Sequence, residues 1–101
     1  MIVAVATDGD SPDSPVSVRA ARAPYFQIYK DGKLVEVIRN PFAIGGGGAG
    51  WSVAYMLAEK GVNVFVAGNA GPNFQTALAQ RGIRLVIVPP GTPAQQAATS
   101  V

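Results

Sequence analysis

The chain has no cysteine and no histidine among its 101 residues. Without cysteine there is no disulfide and no thiolate to hold a metal. Without histidine, the commonest metal ligand and the commonest general acid–base are both missing. Charge is scarce as well: 14% of residues are charged against 49% hydrophobic, which excludes a disordered, charge-swollen chain. Lys+Arg 8 against Asp+Glu 6 leave a net charge of +2, and the basic residues do not cluster. No nucleic-acid surface is expected from that balance. "MIVAVAT" at the start is apolar, but it is too short to span a bilayer and lacks a basic leader, so no membrane partner is expected. These bounds predict a cytoplasmic protein with a single domain over residues 1–101 and one core.

Glycine is what the chain has in quantity. There are 12, and "AIGGGGAG" at residues 43–50 sets four in a row, with Gly50 close behind. Glycine loses more conformational freedom on folding than any other residue. A run of this kind therefore implies either a close approach to the main chain or a hinge.

The flanking patterns supply a frame. "IVAVAT" is a β-branched run ended by Asp8-Gly9 and reads as a first strand. Residues 8–24 form a loop long enough to suggest function. "YFQIYKDGKLVEVIR" reads as a hairpin turning at Asp31-Gly32, with both arms less buried than the first strand. "WSVAYMLAEKG" reads as a helix with Trp51, Ala54, Tyr55 and Ala58 along one face, Val53 and Leu57 widening it, and Gly61 as its left-handed cap. A partial repeat follows: "LAEKGVNVFVAG" from Leu57 matches "LAQRGIRLVIVP" from Leu78, each a helix end, a basic residue, a glycine and a strand. Pro72 and Pro93, in matching places, predict two more helices with proline in the first turn.

The connections then fix directions. A hairpin reverses the chain twice, so strands one and three run parallel, and helical crossovers return strands four and five in the same sense. The predicted fold is α/β, a mixed five-stranded sheet of order 3-2-1-4-5 with helices on both faces. Residues 8–24, the glycine run, residues 68–72 and residues 89–93 fall on one edge, with all three helix N-termini. Ligands of open α/β sheets bind at that edge, and helix N-termini favour anions there.

Several motifs fail on inspection. Gly45, Gly47 and Gly50 satisfy a dinucleotide pattern, but a glycine run satisfies nearly any, and the tip of the next strand carries no acid. "GGGGAGWS" has P-loop spacing with Trp51 where the lysine belongs, so a nucleotide hydrolase is rejected. "DGDSPD" lacks the glycine and the final glutamate of a calcium loop; Asp8 alone stays a minor candidate. Ser14 and Ser17 have no evident base to activate them. No enzyme activity is expected.

Taken in order, "SPVSVRAARAPYFQIY", "GGGAG" opening a helix, "GVNVFVAGNAGPNFQTALAQRGI" and a late "GT" resemble the dinitrogenase iron-molybdenum cofactor biosynthesis family over nearly the whole chain. The resemblance implies a ribonuclease H-like three-layer fold. It also implies non-catalytic binding or carriage of an iron–sulfur or iron-molybdenum cluster, in the company of other cofactor-assembly proteins. The family commonly reads Ser-x-His-Phe-Gly-Arg-Ala before the aromatic strand, and here Arg19 takes the histidine position. Arginine does not coordinate iron but does pair with anions. A cluster would therefore be held weakly.

The residues expected to bind the ligand are Arg19, Arg22, Gly46, Gly47, Gly48, Gly50, Gly68, Asn69 and Gly71. No metal ligand and no catalytic residue is expected. The expected ligand is an anionic small molecule or metallocluster. A phosphate- or nucleotide-binding module, or an interaction domain that has lost the ligand, are the alternatives.

Overall fold

In the computed structural model the described residues are 1–45 and 47–101; Gly46 lies outside them. The strands are β1 (Ile2–Thr7), β2 (Tyr25–Lys30), β3 (Lys33–Arg39), β4 (Val64–Ala67) and β5 (Arg84–Ile87). The helices are α1 (Ala49–Glu59), α2 (Pro72–Gln80) and α3 (Ala94–Thr99), with a 3-10 turn at Ala20–Arg22. The sheet order is β3-β2-β1-β4-β5, as the connections predicted. β2 pairs antiparallel with β1 and β3, while β1, β4 and β5 run parallel.

The hairpin turns at Asp31 (φ +51°) and Gly32 (φ +82°). Positive φ at both central residues is the twist-matched two-residue turn. The hairpin is less buried than β1, as expected, but almost all of that exposure lies in β3; β2 is buried along Phe26, Gln27, Ile28 and Tyr29. The reason is position: β2 lies inside the sheet with β1 and β3 on either side.

Alternation along the central strands splits the core in two. Ala4, Ala6, Phe26, Phe65 and Ala67 face α1 and α2. There Phe65 meets Phe26 and Phe74 edge-on, at ring-centre distances of 5.8 and 5.1 Å. Val3, Val5, Tyr29, Val64 and Val66 face α3 on the opposite side.

The internal repeat has a physical meaning. After α1, Gly61 (φ +75°) donates to Ala58 O and Val62 donates to Leu57 O. After α2, Gly82 (φ +71°) donates to Ala79 O and Ile83 to Leu78 O. Both are the same paired C-terminal motif, in which a left-handed glycine satisfies the last carbonyls.

Two helix expectations are corrected. Pro72 does open α2, but Pro93 is the residue before α3, not its first. In α1 the core face is Ala49, Val53, Ala54 and Leu57, while Trp51 and Tyr55 are 46% and 51% exposed. Helical periodicity locates an apolar stripe but cannot say which side of a wide stripe meets the sheet.

Candidate functional site

At the carboxyl edge of the parallel strands the N-termini of α1 and α2 converge. They border a concavity of about 300 Å³ whose lining includes Arg22, Gly48, Gly50, Trp51, Gly71 and Asn73. Neither helix has a side-chain cap or an acidic residue in its first turn. The first bond of each is Ser52 N–H to Gly48 O, at 3.2 Å, and Gln75 N–H to Gly71 O, at 3.0 Å. The amides ahead of them have no acceptor within their own helix, and the helix dipole adds partial positive charge at the same place.

Two of the glycines have distinct local reasons. Gly48 precedes α1 with φ +87°, a conformation that favours glycine, and a Cβ there would meet nothing within 4 Å. Gly50 sits at a tight contact: a Cβ on it would lie 3.2 Å from Phe74 Cα, so its absence eases the approach of α1 and α2. Gly71, by contrast, has an ordinary extended backbone and open space around it.

The long loop reaches this site in an ordered way. Asn40, 5% exposed, donates from Nδ2 to Ala21 O and Ala23 O at 2.8 Å each, and its Oδ1 accepts from Phe42 N–H at 2.9 Å. Arg22 Nη1 donates to Phe42 O at 3.4 Å and to Gly45 O at 3.2 Å. The 3-10 turn and the chain entering the glycine run are thereby tied together. Sequence reasoning missed Asn40, whose only signal is an amide placed between an exposed strand and Pro41.

Of the expected site residues, Arg22, Gly48, Gly50 and Gly71 line the concavity. Gly47 instead borders a smaller hollow with Phe42 and Ser52. Arg19 and Asn69 are exposed outside the lining. Gly68 is occupied by architecture: its N–H donates to Ser17 O at 2.9 Å, and a Cβ would lie 3.1 Å from Pro90 Cγ. Gly46 falls outside the described residues. Asp8 is not part of the lining either.

The third helix N-terminus does not join the other two. Ala94 N–H donates to Ser14 O at 2.9 Å and Gln95 N–H to Pro12 O at 3.0 Å, so the loop after β1 caps α3 with its own carbonyls. That loop is itself propped by Gln27, fully buried, whose Nε2 donates to Gly9 O at 3.2 Å and Ser11 O at 2.6 Å. Tyr29 O–H donates to Gln27 Oε1 at 2.6 Å, and burial, then the nearby Asp13 charge, pushes its phenol above the ordinary value of 10.0.

Beside the convergent helix ends runs a larger groove, about 460 Å³, lined by Pro41, Phe42, Trp51, Ser52, Tyr55 and Met56. It is almost wholly apolar, so it supplies surface rather than ligating groups. Trp51 lines both hollows. The phenol of Tyr55 is pushed up chiefly by the neighbouring Glu59, and the Arg81 guanidinium carbon stands 4.9 Å from its ring centre. Among the described residues no group of three or more His, Cys, Asp or Glu could hold a metal ion. None of the described helices is long and apolar enough to cross a membrane.

The structure resembles the apo form of the orange protein from Desulfovibrio gigas, with TM-score 0.89 and 29% identity, over 97% of this chain and 83% of that one. It also resembles the solution structure of a Thermotoga protein that belongs to the DUF35 family. There the TM-score is 0.81 and the identity 36%, over 98% of this chain and 84% of the other. No curated protein matches the sequence significantly. The model of the dinitrogenase iron-molybdenum cofactor family matches residues 1–101, and the chain belongs to that family.

Proposed function

We propose that this protein binds or carries an anionic metallocluster, an iron–sulfur or iron-molybdenum cluster, without bond chemistry of its own. The observation that carries the reading is the convergence of two helix N-termini without a side-chain cap on one concavity at the ligand edge of the sheet. Family membership supplies the class of cargo. Strand order and the antiparallel β2 support reading the fold as ribonuclease H-like.

The residues present do not fit a cluster that needs protein thiolates or imidazoles, since the chain has neither cysteine nor histidine. They fit an anion that brings its own ligands. Outer sulfide or oxide atoms of such a cluster accept hydrogen bonds from backbone N–H groups, as phosphate oxygens do at helix N-termini. Capture of this kind is reversible, which suits a carrier. The same donors would also accept phosphate, and a nucleotide- or phosphate-binding module is distinguished by which anion binds tighter.

The exposed Trp51–Tyr55 side of α1 favours a second role beside the first, docking of another cofactor-assembly protein next to the cargo. Aromatic residues of this type are enriched at the centres of protein interfaces.

Calorimetric titration with tetrathiomolybdate, a sulfide-clad molybdenum anion, tests the reading against phosphate and sulfate. Binding of the thio-anion at least about tenfold tighter than phosphate supports cluster carriage, a difference of roughly 1.4 kcal/mol. Tighter phosphate binding favours the alternative, and binding of none of the three contradicts the anion site.

A further inference from the structure

We infer that Arg22 and Asn40 form a two-part clasp that sets the position of the chain leading into α1, and that Arg22 serves the ligand through this clasp rather than as its counter-charge. The inference rests on the anion site proposed above. It is carried by the hydrogen bonds of these two side chains, which run in opposite directions between the same two segments.

From the hairpin side, the Asn40 amide reaches across to Ala21 O and Ala23 O, which flank Arg22. From the loop side, the Arg22 guanidinium reaches back to Phe42 O and Gly45 O, which flank the start of the glycine run. Asn40 Oδ1 closes the loop on Phe42 N–H, so residue 42 is held at both its N–H and its C=O. The result is a cross-braced unit made of the 3-10 turn and the segment that follows β3.

A brace is needed here for a physical reason. A glycine-rich entry has few side-chain contacts and a wide choice of backbone conformations, so ordering it against a ligand costs entropy. Holding residues 42 and 45 before the ligand arrives transfers that cost to folding, and preorganisation raises affinity. Asparagine suits one end because it offers donors and an acceptor together. Arginine suits the other because its Nη1 carries two N–H bonds in the fixed plane of the guanidinium and donates to both carbonyls, directions that the freely rotating ammonium of the shorter lysine does not hold.

The clasp and the counter-charge roles separate on substitution. Arg22→Lys keeps the positive charge and loses the reach and fixed direction of the Nη1 donors; Asn40→Ala removes the brace without touching any charge. The clasp predicts that both weaken tetrathiomolybdate or phosphate binding by about tenfold, and that the double variant is little worse than either single one, because each breaks the same unit. It also predicts faster hydrogen exchange at the Phe42 amide in both variants, with or without an anion present. Should Asn40→Ala be too unstable to purify, Arg22→Lys decides alone, since its half-buried side chain leaves the core intact. Wild-type affinity in Arg22→Lys alongside weak binding in Arg22→Ala would overturn the clasp in favour of the counter-charge. Unchanged Phe42 exchange in the folded variants would overturn it independently of any ligand. A wild-type protein that binds no anion, but whose Phe42 exchange responds as stated, would refute the site while leaving the clasp standing.

Discussion

The N-terminus of α3 and those of α1 and α2 start from the same sequence cue, a glycine or proline before a helix, and end in opposite states. At α3 the loop after β1 folds over and its carbonyls at Pro12 and Ser14 accept the first amides. At α1 and α2 no side chain caps the helix, and Gly48 and Gly71 occupy the capping positions. The first end is sealed by backbone carbonyls; the others, left open, carry no side-chain cap among the described residues. The difference lies in what each loop does with its own polar groups: the loop over α3 is anchored by the buried Gln27 amide and has carbonyls to offer. The glycine entry to α1 is held from outside, by Arg22 and Asn40. A sealed terminus contributes stability alone, whereas an open one has donors left for a ligand.

The largest effect is expected at the sealed end. Gln27→Leu would strip the loop of its prop and leave Tyr29 O–H, Gly9 O and Ser11 O without that partner, costing roughly 3 kcal/mol in urea unfolding. Anion affinity of the folded fraction should stay unchanged. A matching loss of affinity would show that the two ends are not independent.

Next comes the open end's geometry. Gly50→Val forces a side chain against the Phe74 backbone and should cost about 2 kcal/mol by overpacking. Here affinity should fall too, because α1 and α2 are pushed apart at the ligand's two donors. Loss of stability with affinity intact would remove the close approach from the mechanism.

Tyr29 sharpens the contrast through pH. Its folded-state pKa is raised above the ordinary 10.0, chiefly by burial, so the neutral phenol is the form the fold accepts. Its contribution is fully present below the unfolded pKa and is lost as pH rises above it through the folded value. Tyr29→Phe should lose about 1 kcal/mol at neutral pH with its hydrogen bond to Gln27. It should also flatten the fall of stability above pH 10, read by thermal melts across the alkaline range.

How much of this contrast was legible in the sequence varies by element. The hairpin at Asp31-Gly32 and the paired Gly61 and Gly82 caps were legible, because positive φ restricts residue choice so strongly. Sheet order followed from the hairpin and the helix–strand units repeated after it. The sealing of α3 was not legible, since backbone carbonyls do the capping and every residue has one. Nor was the exposure of Trp51 and Tyr55, as both belong to an apolar stripe wider than the sheet covers. Of the glycines, Gly50 and Gly68 answer to packing and Gly48 to conformation; a run of identical residues carries no mark of these different duties.

The smallest expected effect on stability carries opposite signs for fold and ligand. Gly71→Asp would give α2 the capping oxygen it lacks and a negative charge at its positive end, for a gain of about 0.5 kcal/mol. The same carboxylate would stand in the proposed anion site. A small rise in melting temperature with loss of anion binding is expected; a rise with binding retained would place the ligand elsewhere.

The central claim, that the open end and not the sealed one receives an anion, is tested most directly by following every backbone amide by NMR during titration with tetrathiomolybdate. Saturable shifts should concentrate at Gly50, Trp51, Asn73 and Phe74, with Ala94 and Gln95 unmoved. Shifts centred on Ala94 and Gln95, or none that saturate at the first turns of α1 and α2, would contradict it.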